Sequence, residues 1–180
     1  MTYNITYELD GGTSHEDNHA KYTCGVGVIF KEAAKLGHTF EGWYTDQNFQ
    51  TRITELTDTD EGDTTIYAKW SINTYTLTYE LDGGINHPDN EEEYTFGEEM
   101  VFGEATKEGF IFEGWFLETD FQTEITGITA TDTGNKVLYA KFIEEIGIDD
   151  PAIIQINIFP NPVSDYFSIE NAAGAQLYVY

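Results

Sequence analysis

Tyr7-Glu8-Leu9-Asp10-Gly11-Gly12 returns unchanged as Tyr79-Glu80-Leu81-Asp82-Gly83-Gly84. Each copy ends a run of strict alternation. Tyr3, Ile5, Tyr7 and Leu9 share one face and Asn4, Thr6 and Glu8 the other; Tyr75, Leu77, Tyr79 and Leu81 oppose Thr76, Thr78 and Glu80 in the same way. A period of two with apolar residues on one side marks a half-buried β-strand, and Asp-Gly-Gly supplies residues that tolerate positive φ and close the strand in a turn.

Outward from these strings the match continues without a gap at an offset of about 72, and about half of the aligned positions are identical. Phe40-Glu41-Gly42-Trp43 meets Phe112-Glu113-Gly114-Trp115, and Tyr67-Ala68-Lys69-Trp70 meets Tyr139-Ala140-Lys141-Phe142. The paired segments run from Tyr3 to Trp70 and from Tyr75 to Phe142, and the polar loop Thr13 to Lys21 is among their most divergent parts. An extended segment is expected over Tyr22 to Phe30, followed by a short helical turn over Lys31 to Gly37, where alanines and lysines precede a glycine. Aromatic residues on both faces around Phe40, Trp43 and Tyr44 break simple alternation and point to a bulge at Gly42. Ile66, Ala68 and Trp70 alternate with Tyr67 and Lys69 as a closing strand.

A unit of this size lies near the lower limit for an independent core, so aromatics must supply much of the buried area, at about 25 cal/mol per Å². Phe40, Trp43, Phe49 and Trp70 are the candidates, and Cys24, unable to form an internal disulfide, reads as a small core residue. The connector Ser71-Ile72-Asn73-Thr74 lacks glycine and proline, which predicts a restricted orientation between neighbouring copies.

The 180 residues carry 8 basic and 33 acidic side chains, a net charge of −25, yet 40% are apolar and 15% aromatic. That apolar content supports folded cores, while the charge repels phosphate backbones and anionic lipid heads and disfavours nucleic-acid and peripheral membrane binding. No stretch reaches the length needed to span a bilayer and no signal peptide is in view, so an exported parent protein is expected to be longer than this sequence.

The motifs that carry chemistry are weak. Asp58-Thr59-Asp60-Glu61-Gly62-Asp63 alternates hard oxygen ligands as a calcium loop does, but its glycine comes one place early and copy two has Ala130 and Asn135 for Asp58 and Asp63. It reads as a solvated turn, as does the cluster of Asp89 with Glu91, Glu92 and Glu93. Ser14, His15 and Asp17 have the residue types of a hydrolase triad but crowd one loop, and copy two has Asn86 for Ser14. His15 and His87 recur at one position and read as local hydrogen-bond partners. No cofactor is called for. Trp43 and Trp115, with neighbouring tyrosines, are the candidate interaction residues: exposed, they would form a sugar-stacking platform; buried, they would be core.

Tyr-x-Leu-Asp-Gly-Gly, Gly37 followed by Phe40-x-Gly42-Trp43-Tyr44, and Tyr67-Ala68-Lys69-Trp70 resemble, in order and twice, the Listeria–Bacteroides repeat, the B-repeat of internalin-type surface proteins. The resemblance implies an α+β, β-dominated fold similar to the β-grasp, an extracellular or outer-membrane-surface location, and a non-catalytic role as spacer or adhesion module toward an extracellular protein or glycan. Ile156-Asn157-Ile158-Phe159-Pro160-Asn161-Pro162-Val163-Ser164-Asp165, with Phe167-Ser168-Ile169 and Leu177 to Tyr180 beyond, resembles the start of a C-terminal sorting domain of type IX secretion cargo. That resemblance implies a Bacteroidota source, the type IX machinery as a partner and a domain truncated at Tyr180. The expected organisation is therefore two repeat domains, 1–72 and 73–143, a linker over 144–153, and a partial all-β sorting domain over 154–180.

Overall fold

The computed structural model describes residues 1–145, and Met1–Ile143 form one compact unit. The linker and sorting segment expected over 144–180 lie outside the described residues from residue 146 onward.

The first repeat contains seven strands: β1 (Thr2–Glu8), β2 (Lys21–Thr23), β3 (Val28–Ile29), β4 (His38–Tyr44), β5 (Arg52–Ile53), β6 (Glu55–Leu56) and β7 (Thr64–Ile72). The second repeats the series as β8 (Thr74–Glu80), β9 (Glu93–Thr95), β10 (Met100–Val101), β11 (Phe110–Phe116), β12 (Glu124–Ile125), β13 (Gly127–Ile128) and β14 (Lys136–Glu144). In each repeat five strands form one sheet, β2-β1-β7-β4-β5 and β9-β8-β14-β11-β12, and two short strands, β3 with β6 and β10 with β13, form a second. The first and last strands of a repeat are parallel neighbours, in register from Ile5 with Thr64 to Glu8 with Tyr67 and from Leu77 with Lys136 to Glu80 with Tyr139.

The period-two reading holds in both copies. Ile5 and Leu77 are buried, while Tyr3, Tyr7, Leu9, Tyr75, Tyr79 and Leu81 pack against the cores from the same faces. Each repeat closes its own core: Ile66 and Leu138, at equivalent places in the closing strands, are 0% exposed. The turn after the first strand sets Asp10 at φ 46° and Asp82 at φ 47°.

The bulge expected at Gly42 is present. Phe40 pairs with Trp70 but Gly42 with Lys69, so Glu41 is the extra residue in β4. Strict alternation would put Phe40 and Trp43 on opposite faces; one inserted residue turns both toward the core, where their rings meet edge to face at 5.2 Å. Glu41 is left outside, 2.7 Å from Lys69.

The α component of the α+β expectation is corrected, because no helix occurs among the described residues and the fold is all-β. The helical turn expected over Lys31 to Gly37 is an irregular segment held from outside. Ala34 exchanges both backbone hydrogen bonds with Thr13, at 2.7 and 2.9 Å, and the Lys31 carbonyl accepts from Asn18 Nδ2 and Trp43 Nε1, both at 2.9 Å. Backbone groups committed across the chain are lost to an i to i+4 ladder, and helix propensity yields to tertiary pairing. The single extended segment expected over Tyr22 to Phe30 is likewise two short strands separated by a turn at Cys24–Gly27. Cys24 sits on that turn, half-buried and outside the core, because Tyr22 and Phe30 take the inward positions on either side.

Ser71–Thr74 links the repeats in nearly continuous strand, interrupted only at Asn73. Asn73 donates its N–H to the Gly37 carbonyl at 3.0 Å, its own carbonyl accepts from Phe96 N at 3.0 Å, and its side-chain oxygen accepts from Thr39 Oγ1 at 2.6 Å. The Phe96 ring lies directly over Gly37, where an added Cβ would come within 2.0 Å of it, and meets the His38 ring edge to face at 5.6 Å. A residue without a side chain is therefore required at Gly37, which also has φ +69°.

Candidate functional site

The Trp43 and Trp115 side chains are 2% and 3% exposed. Each indole donates to a backbone carbonyl of the irregular segment, Trp43 to Lys31 and Trp115 to Gly103, at 2.9 Å in both cases. The bulge turns the rings inward and these hydrogen bonds satisfy their polar edges, so neither offers a face to a sugar. Of the two readings of these tryptophans, sugar-stacking platform or core, burial excludes the platform: they belong to the core.

The loop residues are occupied locally. Ser14 Oγ accepts from Asn18 Nδ2 at 3.1 Å, and His15 Nδ1 accepts from the Asp17 N–H at 3.2 Å. His87 does the same with Asp89 at 3.2 Å. Among the hydrogen bonds of the described residues there is none from Ser14 to His15, and without it a nucleophile has no base.

In the acidic loop at 58–63, Asp60 and Asp63 direct their carboxylates into the backbone. Asp60 accepts from the Thr57 hydroxyl and from the Thr57 N–H, and the two bonds hold its carboxyl below the usual range. Asp63 accepts from the Asn4 N–H at 2.7 Å and from the Asn4 amide, which lowers its carboxyl as well. In the second repeat Asn135 Oδ1 replaces Asp63 and accepts from the Thr76 N–H at 3.0 Å, so the position selects an acceptor rather than a charge. No group of three or more His, Cys, Asp or Glu side chains with metal-binding geometry occurs among the described residues.

Asp132, the counterpart of Asp60, differs. Partial burial pushes its carboxyl up, but a hydrogen bond from Lys136, two from Thr129 and the Lys136 charge outweigh burial and bring it to about 2. Lys136 Nζ stands 2.9 Å from Asp132, where the first repeat has Thr64. Burial also raises the Tyr79 hydroxyl, with help from Glu91 and Glu92, to about 12. The same hydroxyl donates to the Glu91 carbonyl at 2.8 Å, as Tyr7 does to His19 at 3.1 Å, which assigns both tyrosines to pinning the loop.

One aromatic feature was misplaced by the sequence reading. Phe49, expected in the core, is 38% exposed and has φ +53°; Phe121 repeats this at φ +55°. A bulky residue in the left-handed region is strained by about 1–3 kcal/mol and persists only where its surroundings over-determine it. Here the Asp46 carboxylate accepts N–H bonds from Thr51, Gln50 and Asn48 at 2.9–3.2 Å, bonds that also lower its carboxyl, while Phe49 N donates to the Asp46 carbonyl at 3.1 Å. Glu118 plays the part in the second repeat, accepting from Thr123 N at 3.1 Å. Phe49 meets the Tyr44 ring edge to face at 5.4 Å, and Phe121 meets Phe116 at 5.4 Å. Beside Phe49 a shallow cavity of about 270 Å³ is lined by Glu8, Asp10, Gln47, Tyr67 and Ala68.

No helix among the described residues is long and apolar enough to cross a membrane. The family model described as the Listeria-Bacteroides repeat domain matches residues 3–69 and 75–141. A protein of Evansella cellulosilytica, provisionally named as a Gly-rich membrane protein, is 34% identical over 146 residues, covering 78% of this chain and 16% of that protein. Internalin H of Listeria monocytogenes is 30% identical over 156 residues, covering 83% of this chain and 27% of its own length. The chain thus spans a minor part of these curated relatives, and no solved structure matches it. With each matched segment coinciding with one seven-strand series and its own core, the chain belongs to the Listeria–Bacteroides repeat family.

Proposed function

We propose that the two repeats form a non-catalytic module of a bacterial surface protein, a spacer and adhesion segment that holds a larger functional region away from the cell or contacts an extracellular protein or glycan. The supporting observation is the duplicated design: two closed aromatic cores joined through Asn73 and Phe96, with His15, His87, Asp60 and Asp63 each accepting a backbone N–H. Names carried by the relatives, a membrane protein and an internalin, support a cell-surface setting, at the extracellular or outer-membrane face. A likeness to the β-grasp rests on the parallel pairing of the first and last strands, with the irregular segment standing where a helix would cross. The motif around Phe159-Pro160-Asn161-Pro162 supports export by a type IX route in a Bacteroidota host.

Antibodies raised against the 180-residue chain should label intact cells of the source bacterium, and protease added to those cells should remove the label. Labelling that appears only after permeabilisation would overturn the surface assignment.

A further inference from the structure

We propose that the cavity beside Phe49, and in weaker form the matching surface at Phe121, binds a neutral hexose ring of a surface polysaccharide. This deepens the adhesion reading above and rests on it.

The cavity combines a part-exposed aromatic with hydrogen-bond acceptors. Phe49 supplies an apolar face, while Glu8, Asp10 and the Gln47 amide bring acceptors to the same depression, with the Tyr67 phenol beside them. A hexose presents the complement, C–H groups on one face of the ring and hydroxyl donors around its edge. About 270 Å³ lies just below the usual range for ligand pockets, roughly 300–1,000 Å³, and suits a single ring rather than an extended ligand.

The electrostatics select among ligands. A net charge of −25, with Glu8 and Asp10 at the rim, repels sulfated or carboxylated glycans. In the second repeat a lysine already sits on the ring, Lys141 Nζ lying 5.8 Å from the Phe121 centroid, while in the first Lys69 Nζ lies 5.8 Å from the Tyr44 ring that Phe49 meets edge to face. A neutral polyol escapes that repulsion. The second repeat has Glu80, Asp82, Phe121 and Tyr139 at the matching positions and Thr119 in place of Gln47, and Phe121 is the more covered of the two rings. Two unequal sites 72 residues apart on one chain would reinforce each other on a polymer.

Left-handed backbone at Phe49 makes the test clean, because glycine accepts that conformation while removing the ring. The full chain should be retarded in native gels containing soluble mixed-linkage β-glucan or galactomannan. Phe49→Gly should weaken that retardation about tenfold and Phe121→Gly about twofold, with thermal melts showing both variants folded, and Phe49→Tyr should restore it. Absence of retardation in every neutral polysaccharide gel would overturn the proposal, even where intact-cell labelling upholds the surface assignment. So would retardation unchanged in the Phe49→Gly, Phe121→Gly double variant. Binding to poly-lysine that depends on Phe49, without polysaccharide retardation, would overturn it in favour of a basic protein partner.

Discussion

Gly37 and Gly109 occupy the same place in the two repeats and meet opposite fates. Gly37 is buried under the Phe96 ring of the following repeat, whereas Gly109 has nothing within 4 Å of where a side chain would start. Across the junction the same asymmetry recurs, since Phe96 covers Gly37 while its equivalent, Cys24, lies half-buried on a turn at the opposite end of the first repeat. Two copies with almost the same interior thus differ where one copy touches the other. What separates them is neighbourhood, and an internal control for the junction is built into the molecule.

The comparison can be broken first at the cores. Ile66→Ala and Leu138→Ala remove equivalent, fully buried side chains, and each should destabilise its own repeat by about 2–5 kcal/mol. Urea unfolding followed by tryptophan fluorescence reads the loss. If the repeats are coupled through Asn73 and Phe96, either variant lowers the midpoint of a single shared transition; two separated transitions would show independent folding.

Gly37→Ala against Gly109→Ala sharpens the contrast. Both positions have positive φ, so both variants should carry strain of about 1 kcal/mol. Only the first must also displace the Phe96 ring, which adds about 1–3 kcal/mol of overpacking. Equal losses in the two variants, measured by urea unfolding of the full chain, would show that the ring contact contributes nothing.

The smallest effect concerns acid. The Asp132 carboxyl is depressed to about 2 in the folded protein, below its unfolded value of about 3.9, so its contribution is present above pH 4 and lost as pH falls through 2. Lys136→Thr installs the first repeat's residue and should raise the Asp132 carboxyl, removing about 1 kcal/mol at neutral pH and little at pH 2. NMR titration of the Asp132 carboxyl checks the direction, and an unmoved titration would assign the depression to Thr129 alone.

Strand alternation, the Asp-Gly turn and the Gly42 bulge were legible in the sequence because each is written in residues a few places apart. The segment over Lys31 to Gly37 was not, since Ala34 answers to Thr13 and Lys31 to Asn18 and Trp43 rather than to its own neighbours. The same holds for the junction. Phe96 read as a variant of Cys24 because the glycine it covers lies 59 positions earlier. Of the aromatics expected in the core, Trp43 is carried inward by the bulge, whereas Phe49 is held at the surface by the Asp46 turn in a backbone state that composition does not signal. The tryptophan was the candidate that could have been checked on paper, because an aromatic three places after Phe40 shares its face once one residue is inserted.

The parallel pairing of β1 with β7 and of β8 with β14 has a mechanical consequence. The chain enters each repeat at the start of one strand and leaves at the end of its parallel neighbour, so tension along a stretched array drags the two past each other lengthwise. Four registered residue pairs in each repeat then share the load at once, instead of parting one after another as they would if peeled from an end. Shear of this kind loads backbone hydrogen bonds in parallel, so each repeat resists a lengthwise pull better than a strand pair opened from one end.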